Sequence, residues 1–131
     1  MVKHTGYGHK AEIWSLGILL HELLSGDAPF VPSGPEVEEM KASEKLMALF
    51  KMIVKQRPAL DAPCFAQSAV ADMLRSLLQK QATKRISIAE VRSHPFFQGF
   101  HWGAFRSQQL RPPWVPPPHP KLPPGAGPRR S

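Results

Sequence analysis

A single cysteine, Cys64, is all the thiol in this 131-residue sequence, so neither an internal disulfide nor a thiolate zinc site can form. Nothing in that usage points to an oxidising compartment, and a cytoplasmic, intracellular location is the expectation. Long apolar runs are also missing. The longest, Ile13 to Leu24, is interrupted by His21 and Glu22 and is too short to span a bilayer. The opening residues, MVKHTGYGHK, hold no apolar core of the kind a signal peptide needs, so no membrane partner is expected. Acids are absent from the last third. Residues 1–90 hold 11 Lys and Arg against all 10 Asp and Glu, whereas residues 91–131 hold six Lys and Arg and no acid. The formal charge of +7 therefore belongs to the tail. Base-stacking aromatics at regular spacing are lacking there, so the tail reads as a solvated basic segment rather than a nucleic-acid interface.

What is present fits one small soluble domain. Hydrophobic residues make up 42% of the chain and charged residues 21%, too apolar for wholesale disorder. Glu12 to Ser25 is apolar on nearly every face, which suits a helix enclosed by other protein, and Gly26 is placed as its C′ residue. Pro29, Pro32, Gly34 and Pro35 mark a loop, and Glu36, Glu38 and Glu39 make its continuation a solvated surface. From Ser43, the residues Leu46, Leu49, Phe50 and Ile53 fall at i, i+3, i+4 and i+7, a surface helix. Val70, Met73, Leu74, Leu77 and Leu78 repeat that spacing and give a helix over about Ser68 to Gln79. Ser87 and Glu90 form a capping box that starts a brief helix, which His94-Pro95 should stop. Nine of the 15 prolines lie beyond Arg111, a composition that favours polyproline II or disorder.

Two ordered blocks then carry a resemblance. GYGHKAEIWSLGILLHELLSGDAPF, from Gly6 to Phe30, resembles the sixth large helix of eukaryotic protein kinases, where the pattern reads D-x-W-S-x-G and then Y-E-L-L-x-G-x-x-P-F. ATKRISIAEVRSHPFF, from Ala82 to Phe97, is similar to the closing segment of the same family, an arginine before a capped helix and H-P-x-F. A third stretch, FFQGFHWGAFRSQQLRPPWVP, looks like the start of the C-terminal extension of the AGC group, which includes the cyclic-nucleotide-dependent kinases. The resemblance covers about residues 4–116. It implies an all-α fold: the helical distal part of a kinase C-terminal lobe over residues 1–97, followed over 98–131 by an AGC-like extension and a proline-rich, extended or disordered basic tail.

The resemblance also implies what this sequence does not hold. The family's glycine-rich loop, ion-paired lysine, catalytic-loop H-R-D, metal-binding D-F-G and A-P-E have no counterpart in these residues. No catalytic, cofactor-binding or metal-binding residue can therefore be named, and ATP and magnesium are expectations for a full-length parent. The first reading is a fragment of a protein serine/threonine kinase, inactive alone, whose partners are the missing kinase segments or a protein substrate. The second is a non-catalytic interaction protein that docks through its helices and offers the P-x-x-P spacings of Pro116 to Pro124 to SH3 or WW domains.

Single residues take roles from the same match. Glu12 stands where the family usually has an aspartate that holds the catalytic-loop backbone; as an isolated residue it is an acid in the first turn of a helix. Trp14 and Gly17 lie one turn apart, which suits a large ring packed on one neighbour and a close backbone approach at the glycine. Glu22 matches a position that helps receive a substrate arginine in basophilic kinases, but the family places glutamate there in many kinases of differing specificity, which favours a purely structural role. Arg85 matches the arginine that pairs with the A-P-E glutamate, and in this chain it is expected to turn to solvent or find another acid. His94 is the H-P-x-F histidine, a packing and turn residue with no second ligand at metal spacing.

Overall fold

The structure is a computed structural model that describes residues 7–118. Among these residues there are α-helices and single 3₁₀ turns and no strand, so the all-α expectation holds. The helices are α1 (Tyr7–Ser25), α2 (Pro35–Glu39), α3 (Ala42–Lys55), α4 (Ser68–Leu77), α5 (Ile88–Ser93) and α6 (Trp102–Arg106). Turns of 3₁₀ helix lie at Pro63–Phe65, Ala82–Lys84 and Pro95–Phe97.

The described residues divide between Gln98 and Gly99 into two compact units. In the first, α4 is the central post. Met73, Leu74 and Leu77 are the most deeply buried large side chains, as their i, i+1 and i+4 spacing on one helical face requires. Ile13 of α1 and Val91 of α5 close on Met73 and Leu77, while Phe65 and Val70 close on Leu74. Leu20 and Phe96 touch both groups and join them into one core.

Helix α1 starts earlier than its apolar pattern suggests and buries only one stripe: Ile13, Gly17 and His21, with Leu20 half-buried. Leu16, Leu19, Leu23 and Leu24 are 37%, 52%, 74% and 37% exposed, so these residues alone do not enclose the helix. It ends as its sequence dictates. Gly26 has φ 83°, a conformation that a side chain resists, and its N–H donates to the Glu22 carbonyl at 2.8 Å.

Two elements were not legible as helices. In α2, Pro35 supplies a pre-set φ at the first turn and Glu36 and Glu38 complement the helix N-terminus, so the proline–acid run winds instead of staying a loop. Helix α6 lies in the second unit, where Phe100, Trp102 and Phe105 pack edge-on or tilted at centroid distances of 4.7, 5.5 and 6.1 Å. Residues 111–118 carry neither helix nor strand. The remainder of the proline-rich tail, including most of Pro116 to Pro124, lies outside the described residues.

The brief helix α5 is capped as its sequence implies. Ser87 Oγ accepts from the Glu90 N–H at 3.3 Å, and the Glu90 carboxylate accepts from the Ser87 N–H at 2.8 Å and from its hydroxyl at 2.5 Å. These bonds, the hydroxyl first, hold the Glu90 carboxyl below its ordinary range. A carboxyl lowered in the folded state stabilises above the unfolded pKa, and that contribution is lost as pH falls through the folded one. Separately, Ser87→Ala removes the N-cap acceptor and is expected to cost about 1 kcal/mol at neutral pH. In urea titrations its deficit should shrink as acid protonates Glu90; a deficit constant with pH would refute the coupling.

Gly17 offers a sharper test. A Cβ built there would lie 2.7 Å from Leu78 Cδ2 and 2.9 Å from Leu77 Cβ, an atom fixed to the α4 backbone that cannot rotate away. Alanine gains about 1 kcal/mol in helix propensity and overpacking costs about 1–3 kcal/mol, so Gly17→Ala should lose stability on balance. A higher denaturation midpoint would show that α1 and α4 separate at no cost.

Candidate functional site

Trp14 projects from α1 beside the end of α4, and of the sequence-selected residues Arg85 meets it there. Its ring lies parallel to Phe30, 5° between planes and 6.0 Å between centroids. The Lys80 ammonium sits 4.1 Å from the Phe30 centroid and 5.2 Å from that of Trp14, and the Arg85 guanidinium carbon sits 5.1 Å from the Trp14 ring. Electron-rich ring faces thus meet two cations. Burial pulls the pKa values of both Lys80 and Arg85 below their ordinary ranges.

Arg85 is part-exposed and, among the described residues, is bonded to carbonyls rather than to an acid. Its Nε donates to the Gln79 carbonyl at 2.9 Å, Nη2 to the Lys80 carbonyl at 3.3 Å, and Nη1 to the Lys10 carbonyl. Lys10 Nζ donates in return to the Arg85 carbonyl. The carbonyl bonds have a plain cause: carbonyls just past the C-terminus of α4 have no intrahelical N–H, and a fork of five donors can satisfy them without a carboxylate. The guanidinium is therefore a strap from α1 to the chain after α4.

The other sequence-selected residues are scattered. Glu12 and His9 are both exposed and meet at 3.3 Å, an i, i+3 contact on the outer face of α1. The Glu22 side chain is exposed one turn before the helix end. Gly17 is buried, and what approaches it is the side chains of Leu77 and Leu78 rather than a bare backbone. His94 caps the Pro95–Phe97 turn by accepting the Phe96 N–H at Nδ1, 3.1 Å, which leaves Nε2 to donate to Asp72 at 3.0 Å. Among the described residues no three His, Cys, Asp or Glu side chains converge as a metal site would require.

Sequence reasoning missed His21. It is 2% exposed, tilted against Phe65 at 4.7 Å, with ring nitrogens 2.8 Å from the Asp27 carbonyl and 2.6 Å from the Ala59 carbonyl. The Ala59 N–H also donates to the Pro29 carbonyl at 3.2 Å, so the 57–61 loop is tied once to α1 and once to the chain that follows it. A polar residue within an apolar helical run was the available signal.

With this geometry in view, the comparisons with known proteins are decisive. The family model described as protein kinase domain matches residues 1–97. The chain belongs to the protein kinase domain family. It is 36% identical over 117 residues to human ribosomal protein S6 kinase alpha-4, covering 86% of this chain and 14% of that protein. It is 31% identical over 120 residues to protein kinase 3 of Dictyostelium discoideum, 88% of this chain and 12% of that one. To a probable cAMP-dependent protein kinase catalytic subunit of Encephalitozoon cuniculi it is 27% identical over 115 residues, 86% of this chain and 32% of that one. The chain thus spans about one seventh of the length of the human kinase it matches.

The strap makes a quantitative claim. Arg85→Lys keeps the charge but replaces a planar fork with a point donor that cannot reach three carbonyls. It is expected to lower stability by about 1–3 kcal/mol, read by circular dichroism in urea. An unchanged midpoint would mean that water serves those carbonyls equally well.

Proposed function

We propose that this chain is the helical base of a serine/threonine kinase catalytic domain, and that ATP- and magnesium-dependent phosphoryl transfer belongs to segments outside this sequence. The observation that carries the reading is the outward row Leu16, Leu19 and Leu23, on the helix that holds the most specific family motif. Each such side chain gains roughly 1.5–3 kcal/mol from full burial, which favours the remaining kinase segments as its cover. Phosphoryl transfer needs a base for the hydroxyl, a phosphate-binding lysine and metal-binding carboxylates, and the motifs that supply them are not among these residues. In this reading the exposed Glu22 carboxylate receives an arginine of the substrate peptide, and Glu12 turns toward the catalytic-loop backbone. An intracellular location goes with it.

The purified chain is therefore expected to show neither ATP-dependent phosphorylation of a basic peptide nor saturable, magnesium-dependent nucleotide binding. It should bind a hydrophobic dye through the face of α1 and melt over a broad range. Turnover clearly above a mock preparation would sink the assignment of chemistry to other segments. A sharp melt of a monomer without dye binding would instead favour a free-standing interaction protein, with the proline-rich tail as a ligand for SH3 or WW domains.

A further inference from the structure

Between the tethered 57–61 loop and the C-terminal end of α4 lies a cleft of about 630 Å3, within the range of small-molecule sites. Arg57 and Asp61 come from the loop; Arg75, Leu78 and Lys80 come from α4 and the residues after it; Leu60 adds apolar surface. The side chains of Arg57 and Arg75 make no hydrogen bond or ion pair with any other described residue, in contrast to that of Arg85. Lys80 is held over Phe30 rather than by a carboxylate. Three cations therefore face one cleft with a single acid among them.

The walls are fixed. Ala59 is fastened by its carbonyl to His21 and by its N–H to Pro29, which sets the loop that carries Arg57 and Asp61. Arg75 stands on the most deeply buried helix of the unit, and Leu78 is the residue that caps its end. The negative end of that helix opposes an anion, and the three cations that line the cleft outweigh its partial charge. What remains is a positive, half-open, preorganised concavity.

We propose that this cleft binds a phosphate monoester, with the dianion between Arg57, Arg75 and Lys80 and the organic part against Leu60 and Leu78. Guanidinium forks match phosphate oxygens in pairs, and three cations offset both the ester dianion and Asp61. Asp61 then accepts from an amine or hydroxyl on the ligand and disfavours a bare polyanion. The volume exceeds what inorganic phosphate fills, so an ester is selected over the free ion. The phosphoryl group can come from a small molecule or from a modified side chain of a protein.

Titration calorimetry of the full 131-residue chain with three probes tests this: inorganic phosphate, O-phosphoserine, and a blocked phosphoserine peptide. At least one ester should bind saturably and more tightly than inorganic phosphate; a tighter free amino acid identifies a small-molecule source, and a tighter peptide a protein one. Arg57→Gln and Arg75→Gln should each weaken binding about tenfold or more, as loss of a charge-assisted bond implies. Both side chains are exposed, so helical circular dichroism should stay unchanged and separate lost binding from lost folding. Lys51→Gln on α3 and the double change Arg129→Gln, Arg130→Gln in the tail should leave affinity within about twofold. No saturable binding by either ester, preference for inorganic phosphate, or equal losses in these controls would overturn the proposal.

Discussion

Everything in the first unit depends on how closely α1 can approach α4. At Gly17 the missing side chain leaves room for Leu77 and Leu78, and no larger residue fits without moving the fixed Cβ of Leu77. That approach seats Ile13 on Met73 and Leu77 and carries Trp14 alongside the chain that leaves α4. Lys80 and Arg85 emerge there, so the aromatic faces, the cations and the orphan carbonyls meet in one place. His21, one turn on along the same stripe, then reaches the 57–61 loop. One glycine thus positions the arginine strap, the histidine tether and the cleft that lies between them.

What could be read beforehand was whatever is encoded locally or repeated in a family. The spacing of Val70, Met73, Leu74 and Leu77 specified a helix and its buried face, because burial along α4 follows the 3.6-residue period. Ser87 and Glu90 specified their helix start through bonds three residues apart. Two blocks of motif fixed the fold class. Contacts distant in sequence were not legible. Nothing near Arg85 announces the Lys10 carbonyl, 75 residues away, and nothing near His21 announces that of Ala59, 38 residues away. The apolar character of α1 was visible, but which leucines face outward is settled only by where α4 lies. A family match names the partner that a residue has in an intact kinase domain; it does not say which atoms replace that partner here.

The surroundings of Arg85 show how an arginine can be satisfied twice. The guanidinium carries five N–H donors, and the Gln79, Lys80 and Lys10 carbonyls take three, so two remain. With Lys10 and Lys80 close by, the region gathers three positive charges; Lys10 stands near enough to Glu90 to be felt by its carboxylate, but among the described residues none of the three forms a salt bridge. Ring faces and carbonyl dipoles screen such a cluster, but they do not neutralise it. An incoming carboxylate would therefore meet free donors already aimed by the strap and a field already favourable to it, with little reorganisation of the protein. The carbonyl bonds and an added ion pair are not rivals for the same hydrogens. The carbonyls hold the fork in place, and the fork so held is what a carboxylate from another segment of a kinase domain would require.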